Sequence, residues 1–131
     1  MNIKLITYQD KHPCDVFEVD LEIAKKSNTI YNCINILSLD DESCIDLYNI
    51  DSNSLNDFIL FSKRHLNDSK NDAEDLQYYE NISDENKIKY LESAIYLDYP
   101  LYETVLIKVI TNKLKGKTGK EMQKILCLKI D

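Results

Sequence analysis

Tryptophan is absent from this sequence, and glycine and proline occur only twice each. So little glycine leaves few places where backbone could wrap a phosphate or shape a cofactor cradle. His, Cys and carboxylate residues show no pairing at a recognised catalytic spacing, so an enzyme is not expected. No apolar run approaches the length of a membrane span. The opening residues, MNIKLITYQD, hold no sustained apolar core after their single lysine, and a secretory leader is not expected either. The expected compartment is the cytosol or nucleus. The four cysteines, Cys14, Cys33, Cys44 and Cys127, lack short paired spacing, which argues against a disulfide scaffold. Positive charge is also in deficit: 16 basic residues against 23 acidic ones give a net charge of -7. That balance works against nucleic acid as a partner and suits solubility or a basic protein.

What the chain does have is enough apolar material for one folded domain. Its 131 residues are 44% hydrophobic and 30% charged. Ile3, Leu5 and Thr7 alternate with Lys4, Ile6 and Tyr8, and after QDKHP a second alternation sets Phe17, Val19 and Leu21 against Val16, Glu18 and Asp20. This pattern predicts two short strands joined by a turn. Asp20 suits the cap of a short helix, and Ser27 or Asn28 suits the cap of another carrying Ile30, Ile34 and Leu37. CIDLYNI, with Ile45 and Leu47, predicts a third strand. Ser52 or Ser54 then opens a helix bearing Leu55, Phe58, Ile59 and Leu66. The first half therefore predicts the order β-β-α-α-β-α. From about 67 to 85 the sequence turns polar and acidic, and a solvated loop is expected. Ser83 or Asp84 starts a helix with Ile88, Leu91 and Ile95 on one side, and Pro100 stands at a helix boundary. Gly116 suits a C-terminal cap, and Thr118 suits the N-cap of a final short helix with Met122, Ile125 and Leu126.

Several residues invite a chemical reading. GKTGK at 116 to 120 contains the Gly-Lys-Thr that ends a phosphate-binding loop. The glycine needed five residues earlier is Thr111, and a helix rather than a strand precedes, so a helix-to-helix turn is the better reading. His12, Cys14 and His65 lack the spacing of a metal site or an activated thiol, and no metal or cofactor is expected. Asp40, Asp41 and Glu42 lack the ligand spacing of a calcium loop. Tyr78 and Tyr79 could either anchor a partner or pack on their own domain.

The stretch from Ala94 to Leu126 carries the strongest helical signal. Between Leu101 and Leu114 the apolar positions cover roughly 240° of a wheel at about 100° per residue, too wide for one buried stripe. Leu101, Val105 and Val109 point one way, and Ile107, Ile110 and Leu114 point nearly the opposite way. The first set is expected to face the core of the chain and the second a partner.

Two motifs point to a family. DVFEVDLEIAKKSNTI at 15 to 30 resembles the FEVD, IAK and S-x-TI signature of the Skp family, the small adaptors of SCF ubiquitin ligases. These share the BTB/POZ fold with elongin C. Ala94, Tyr96, Leu97 and Asp98 (A-x-YLD), followed by KGKT at Lys115 to Thr118 with Glu121 and Lys124, resemble the same family in the same order. The resemblance implies an α/β (α+β) fold of BTB/POZ type, a small three-stranded mixed sheet flanked by helices. The BTB/POZ-like core would cover 1–99, with its acidic loop at about 67–85, and a C-terminal helical extension of F-box-binding type would cover 100–131.

The resemblance also implies two partners for a non-catalytic adaptor. A cullin scaffold would contact Tyr96 and, where the family usually has Asn, Ile95. An F-box protein would be gripped by Ile107, Ile110, Leu114, Met122, Leu126 and Leu128. Departures from the family are that Gly119 replaces the usual proline, Lys120 replaces an acidic residue, and the two further helices expected after Asp131 are not in this sequence. An alternative follows from the last point: a self-associating BTB module, dimerising through its C-terminal helices, or a decoy that docks on cullin without recruiting a complete receptor.

Overall fold

The computed structural model describes residues 2–37, 44–66 and 72–127. Strands β1 (Asn2–Gln9) and β2 (His12–Asp20) form an antiparallel hairpin, and β3 (Cys44–Leu47) adds to β1 in parallel, giving the order β2-β1-β3. The hairpin turns on two residues, Asp10 and Lys11, both at positive φ. Positive φ at both central positions is what a twisted two-residue hairpin demands. A register shift between Ile6 and Tyr8 lies beside Thr7, which is fully buried and accepts a hydrogen bond from the Asp15 amide at 3.2 Å. Ile3, Leu5, Val19, Ile45 and Leu47 make the buried face of the sheet, as the alternation predicts.

A parallel neighbour needs a crossover, supplied by α1 (Leu21–Ala24) and α2 (Asn28–Leu37). Asp20 caps α1 by accepting from the Glu22 amide, and Ser27 Oγ caps α2 by accepting from the Ile30 amide at 3.1 Å. Helix α3 (Ser52–Arg64) is capped by Asp51 rather than by either serine. It buries Leu55, Phe58, Ile59 and Phe61, whereas Leu66 falls beyond its end and is exposed. The order β-β-α-α-β-α is therefore the one the sequence predicts.

The second half is helical. Helix α4 (Asp72–Glu80) occupies much of the stretch expected to be a loop. It forms because buried side chains, not a regular apolar stripe, fasten it: Tyr79 is fully buried, Asp75 nearly so, and Tyr78 stays exposed. Helix α5 (Asp84–Leu97) is capped by Ser83 and ends at Asp98, whose φ of 52° is left-handed. Its buried face is Lys87, Tyr90, Ala94 and Leu97, so Ile88 and Leu91 are only half-buried and Ile95 faces solvent. Ser93 and Ala94, two small side chains, are buried on the same helix.

Helix α6 (Pro100–Leu114) begins with Pro at its first turn, and Gly116 follows its end at a φ of 73°, where a glycine avoids steric cost. Thr118 caps α7 (Gly119–Ile125) by accepting from the Glu121 amide at 3.2 Å. The centre of the molecule is an aromatic cluster in which the Phe61 ring lies 4.7 Å from Tyr102 and 5.6 Å from Tyr99.

Candidate protein-binding surfaces

The two motifs that carry the family resemblance meet in space. Ser27 Oγ donates to the Leu97 carbonyl at 2.5 Å, the Asn28 amide donates to the Asp98 carbonyl at 3.1 Å, and Thr29 Oγ1 donates to the Tyr96 carbonyl at 2.8 Å. Three successive residues at the start of α2 thus receive the last carbonyls of α5, which a helix end leaves without intrahelical partners. Ser27 is fully buried and does two jobs, capping α2 and holding α5. Sequence reading placed Ser27 only as a cap. Its second bond spans 70 residues, and no local pattern signals it.

This clasp sets the orientation of Ile95 and Tyr96, the two positions for which the family resemblance implies a cullin contact. Ile95 is 57% exposed, while Tyr96 is half-buried against the core with its hydroxyl pKa raised, first by burial and then by nearby Cys33. The two neighbours therefore present one free aliphatic side chain beside one anchored aromatic.

The positions expected to form the F-box face are not one continuous exposed set. Ile107 is 47% exposed, Leu114 is half-buried at the end of α6, and Met122 and Leu126 are half-buried at α7. Ile110 is only 6% exposed, so it belongs to the buried side of α6. Leu128 lies outside the described residues. At the other end Leu101, expected in the core, is 39% exposed. The cause of both corrections is the setting of the helix. Tyr102, fully buried, fixes it so that Tyr102, Val105, Leu106, Val109 and Ile110 face inward, an arc of about 140°. Ile107 and Leu114 remain as a shoulder beside that arc rather than as an opposite face.

Tyr102 is fixed by a buried polar network that sequence reading did not find. The Asp57 carboxylate on α3 accepts hydrogen bonds from the hydroxyls of Tyr102 and Tyr79, the latter at 2.7 Å. Burial pushes the Asp57 carboxyl above the ordinary range, although both tyrosine donors and nearby Arg64 oppose that shift. The Tyr79 and Tyr102 hydroxyls are pushed well up by burial and by the same carboxylate. Beside them, Asp75 on α4 holds His65 Nε2 at 2.6 Å and Arg64 Nε at 3.3 Å. The network joins α3, α4 and α6 and so supports the setting of α6 from within the fold. His65 has a structural place here, while His12 and Cys14 stay exposed on β2.

Among the described residues no group of three or more His, Cys, Asp or Glu is placed to hold a metal ion. No helix among them is long and apolar enough to cross a membrane. The near-buried Lys87 amine lies 3.8 Å from Asp84, donates to the Glu80 carbonyl, and has its pKa lowered mainly by burial.

A three-stranded mixed sheet with a crossover of helices on one face, followed by a helical second half, defines an α/β protein of BTB/POZ class. The model of the Skp1 family, tetramerisation domain, matches residues 2–67, β1 through α3, and the chain belongs to that family of adaptor proteins. The comparison with curated proteins gave no match. The family match ends before α4, so both proposed partner surfaces lie beyond it.

Proposed function

We propose that the chain is a non-catalytic adaptor that bridges a cullin scaffold to an F-box substrate receptor in an SCF-type ubiquitin ligase. The observation that carries this reading is Ile107, left 47% exposed on α6 next to the buried arc of Tyr102, Val105, Leu106, Val109 and Ile110. Membership of the Skp1 family supplies the class of partner. Ile95, at the end of α5, provides a second exposed aliphatic on a different helix, as an adaptor with two partners needs. Isolated exposed aliphatics are common on any surface, so the weight rests on their coincidence with the family positions.

Co-purification of the full chain with a cullin N-terminal domain and an F-box domain tests the reading. A complex containing all three is expected, and binding to neither at micromolar concentration sinks it. Self-association is the competing reading, and light scattering of the chain alone separates the two.

A further inference from the structure

The sheet buries one face, made of Ile3, Leu5, Thr7, Val19, Ile45 and Leu47. The residues between them point the opposite way. Lys4, Ile6 and Tyr8 on β1, Val16 and Glu18 on β2, and Cys44 and Asp46 on β3 therefore share the outer face, and none of them is buried. A solvated sheet face ordinarily carries polar residues. Here four apolar side chains adjoin. Val16, 61% exposed, is the cross-strand partner of Ile6, and Tyr8 follows on the same side of β1. The Tyr8 ring stacks at 4.3 Å on that of Tyr48, which is 60% exposed just past β3. Strands favour β-branched and aromatic residues for their own sake. That preference accounts neither for Tyr48, which lies outside the strand, nor for a strip that is continuous from β2 across β1 to the end of β3.

Carboxylates run along the strip. Asp46 is the register partner of Ile6 and accepts from the Tyr8 hydroxyl at 2.7 Å, and Glu18 follows Val16 on the outer side of β2. Tyr8 also walls a cleft of about 320 Å³ that Asp15 and Asp51 line. None of these four carboxylates is in an ion pair among the described residues. Lys4 is the one basic residue of the outward set. Apolar area with unopposed negative charge at its edge suits a partner that brings positive charge. The same carboxylates repel nucleic acid and anionic membrane. Two copies meeting face to face would set Glu18 and Asp46 against their own equivalents, like charge against like.

We infer that the outer face of the sheet docks a short basic protein segment. Its aliphatic side chains rest on Val16, Ile6, Tyr8 and Tyr48, and its arginine or lysine side chains meet Glu18, Asp46 and the cleft of Asp15 and Asp51. This surface lies on elements other than α5, α6 and α7, so it is a third one and does not rest on the adaptor reading.

Three fluorescein-labelled peptides test it on the full chain: one alternating Arg and Val, one alternating Arg and Ser, and one alternating Glu and Val. Affinity is read by anisotropy across a salt series, and the contact face by amide shifts of the isotope-labelled chain. The Arg-Val peptide is expected to bind roughly tenfold more tightly than either of the others and to shift amides of β1 to β3 and the cleft. Its advantage over the Glu-Val peptide should shrink as salt rises, while that over the Arg-Ser peptide should hold. Val16→Thr with Tyr48→Thr, both at exposed positions, should abolish the advantage over the Arg-Ser peptide. Glu18→Lys with Asp46→Lys, also exposed, should abolish the advantage over the Glu-Val peptide.

Equal binding of the Arg-Val and Arg-Ser peptides would mean a general attraction to an acidic chain and overturns the inference, as does binding of none. Shifts confined to other parts of the molecule overturn it too, and because they are read on the native chain they decide the matter even where a variant fails to fold. Self-association that the Arg-Val peptide does not displace assigns the face to a second copy instead. Displacement of the peptide by a cullin N-terminal domain or an F-box domain removes the claim to a third surface. If neither domain binds the chain while the Arg-Val peptide does, the adaptor reading fails and the basic-segment surface stands.

Discussion

Ser27 shows how much of this fold rests on single polar atoms. Its hydroxyl accepts from the Ile30 amide and donates to the Leu97 carbonyl, both out of water's reach. Replacing it with alanine leaves a donor on α2 and an acceptor on α5 unsatisfied, at a cost of about 2 kcal/mol. Urea unfolding of Ser27→Ala checks this, and Thr29→Val should cost less because half-exposed Thr29 lets water replace its bond to Tyr96. Asp57 gives a second prediction, this one in pH. Its folded pKa is raised, so between the ordinary carboxylate value, about 3.9, and that raised value the native state holds more protons than the unfolded state. Its contribution to stability therefore falls as pH rises through that window. Asp57→Asn removes the ionisation while retaining an acceptor for Tyr79 and Tyr102. The variant should gain on the native chain as pH rises from 4 toward neutrality, and a stability gap that stays constant in urea titrations at several pH values would contradict this.

Among the elements, α4 is the one that sequence reading missed, and the reason is physical. Its nine residues, DAEDLQYYE, hold one aliphatic residue, Leu76, beyond Ala73, so hydrophobic periodicity is nearly silent. The helix is fastened instead by Asp75 to His65 and Arg64 and by Tyr79 to Asp57, contacts to α3 and the residue just after it that only the folded chain brings together. Asp75→Ala should cost about 3 kcal/mol, since it strips a carboxylate from a buried pair. Its amide exchange should quicken first in α4, whereas Asp75→Asn, which keeps an acceptor, should be milder; unchanged exchange in α4 would refute the fastening. Where elements declare themselves locally, the sequence was legible: strand alternation at Ile3, Leu5 and Thr7, the caps Asp20, Ser83 and Thr118, and the stop at Gly116 all stand where they were expected. The facing of α6 was half legible. Its arc was too wide for one stripe, but which part turned inward depended on Tyr102 reaching Asp57, a contact across 45 residues.

For the molecule as a whole, that same rotation decides which substitutions can test function. Ile110 lies in the buried arc, so Ile110→Glu would place an unpaired charge inside the fold, and lost binding could not be told from lost structure. Ile107 and Ile95 are the informative sites, because each is exposed and their helices differ. Under the proposed adaptor function, Ile107→Glu should weaken F-box binding by about 2 kcal/mol, roughly thirtyfold, and leave cullin binding intact. Ile95→Glu should do the reverse. Both variants should unfold in urea within about 0.5 kcal/mol of the native chain, as exposed substitutions do. Titration of each variant against each partner domain by calorimetry gives four affinities, and only a bridge built from two separate surfaces yields one loss and one retention in each row. Joint loss of both partners in either variant would mean that α5 and α6 present a single surface, and the chain would then bind its partners in competition rather than together.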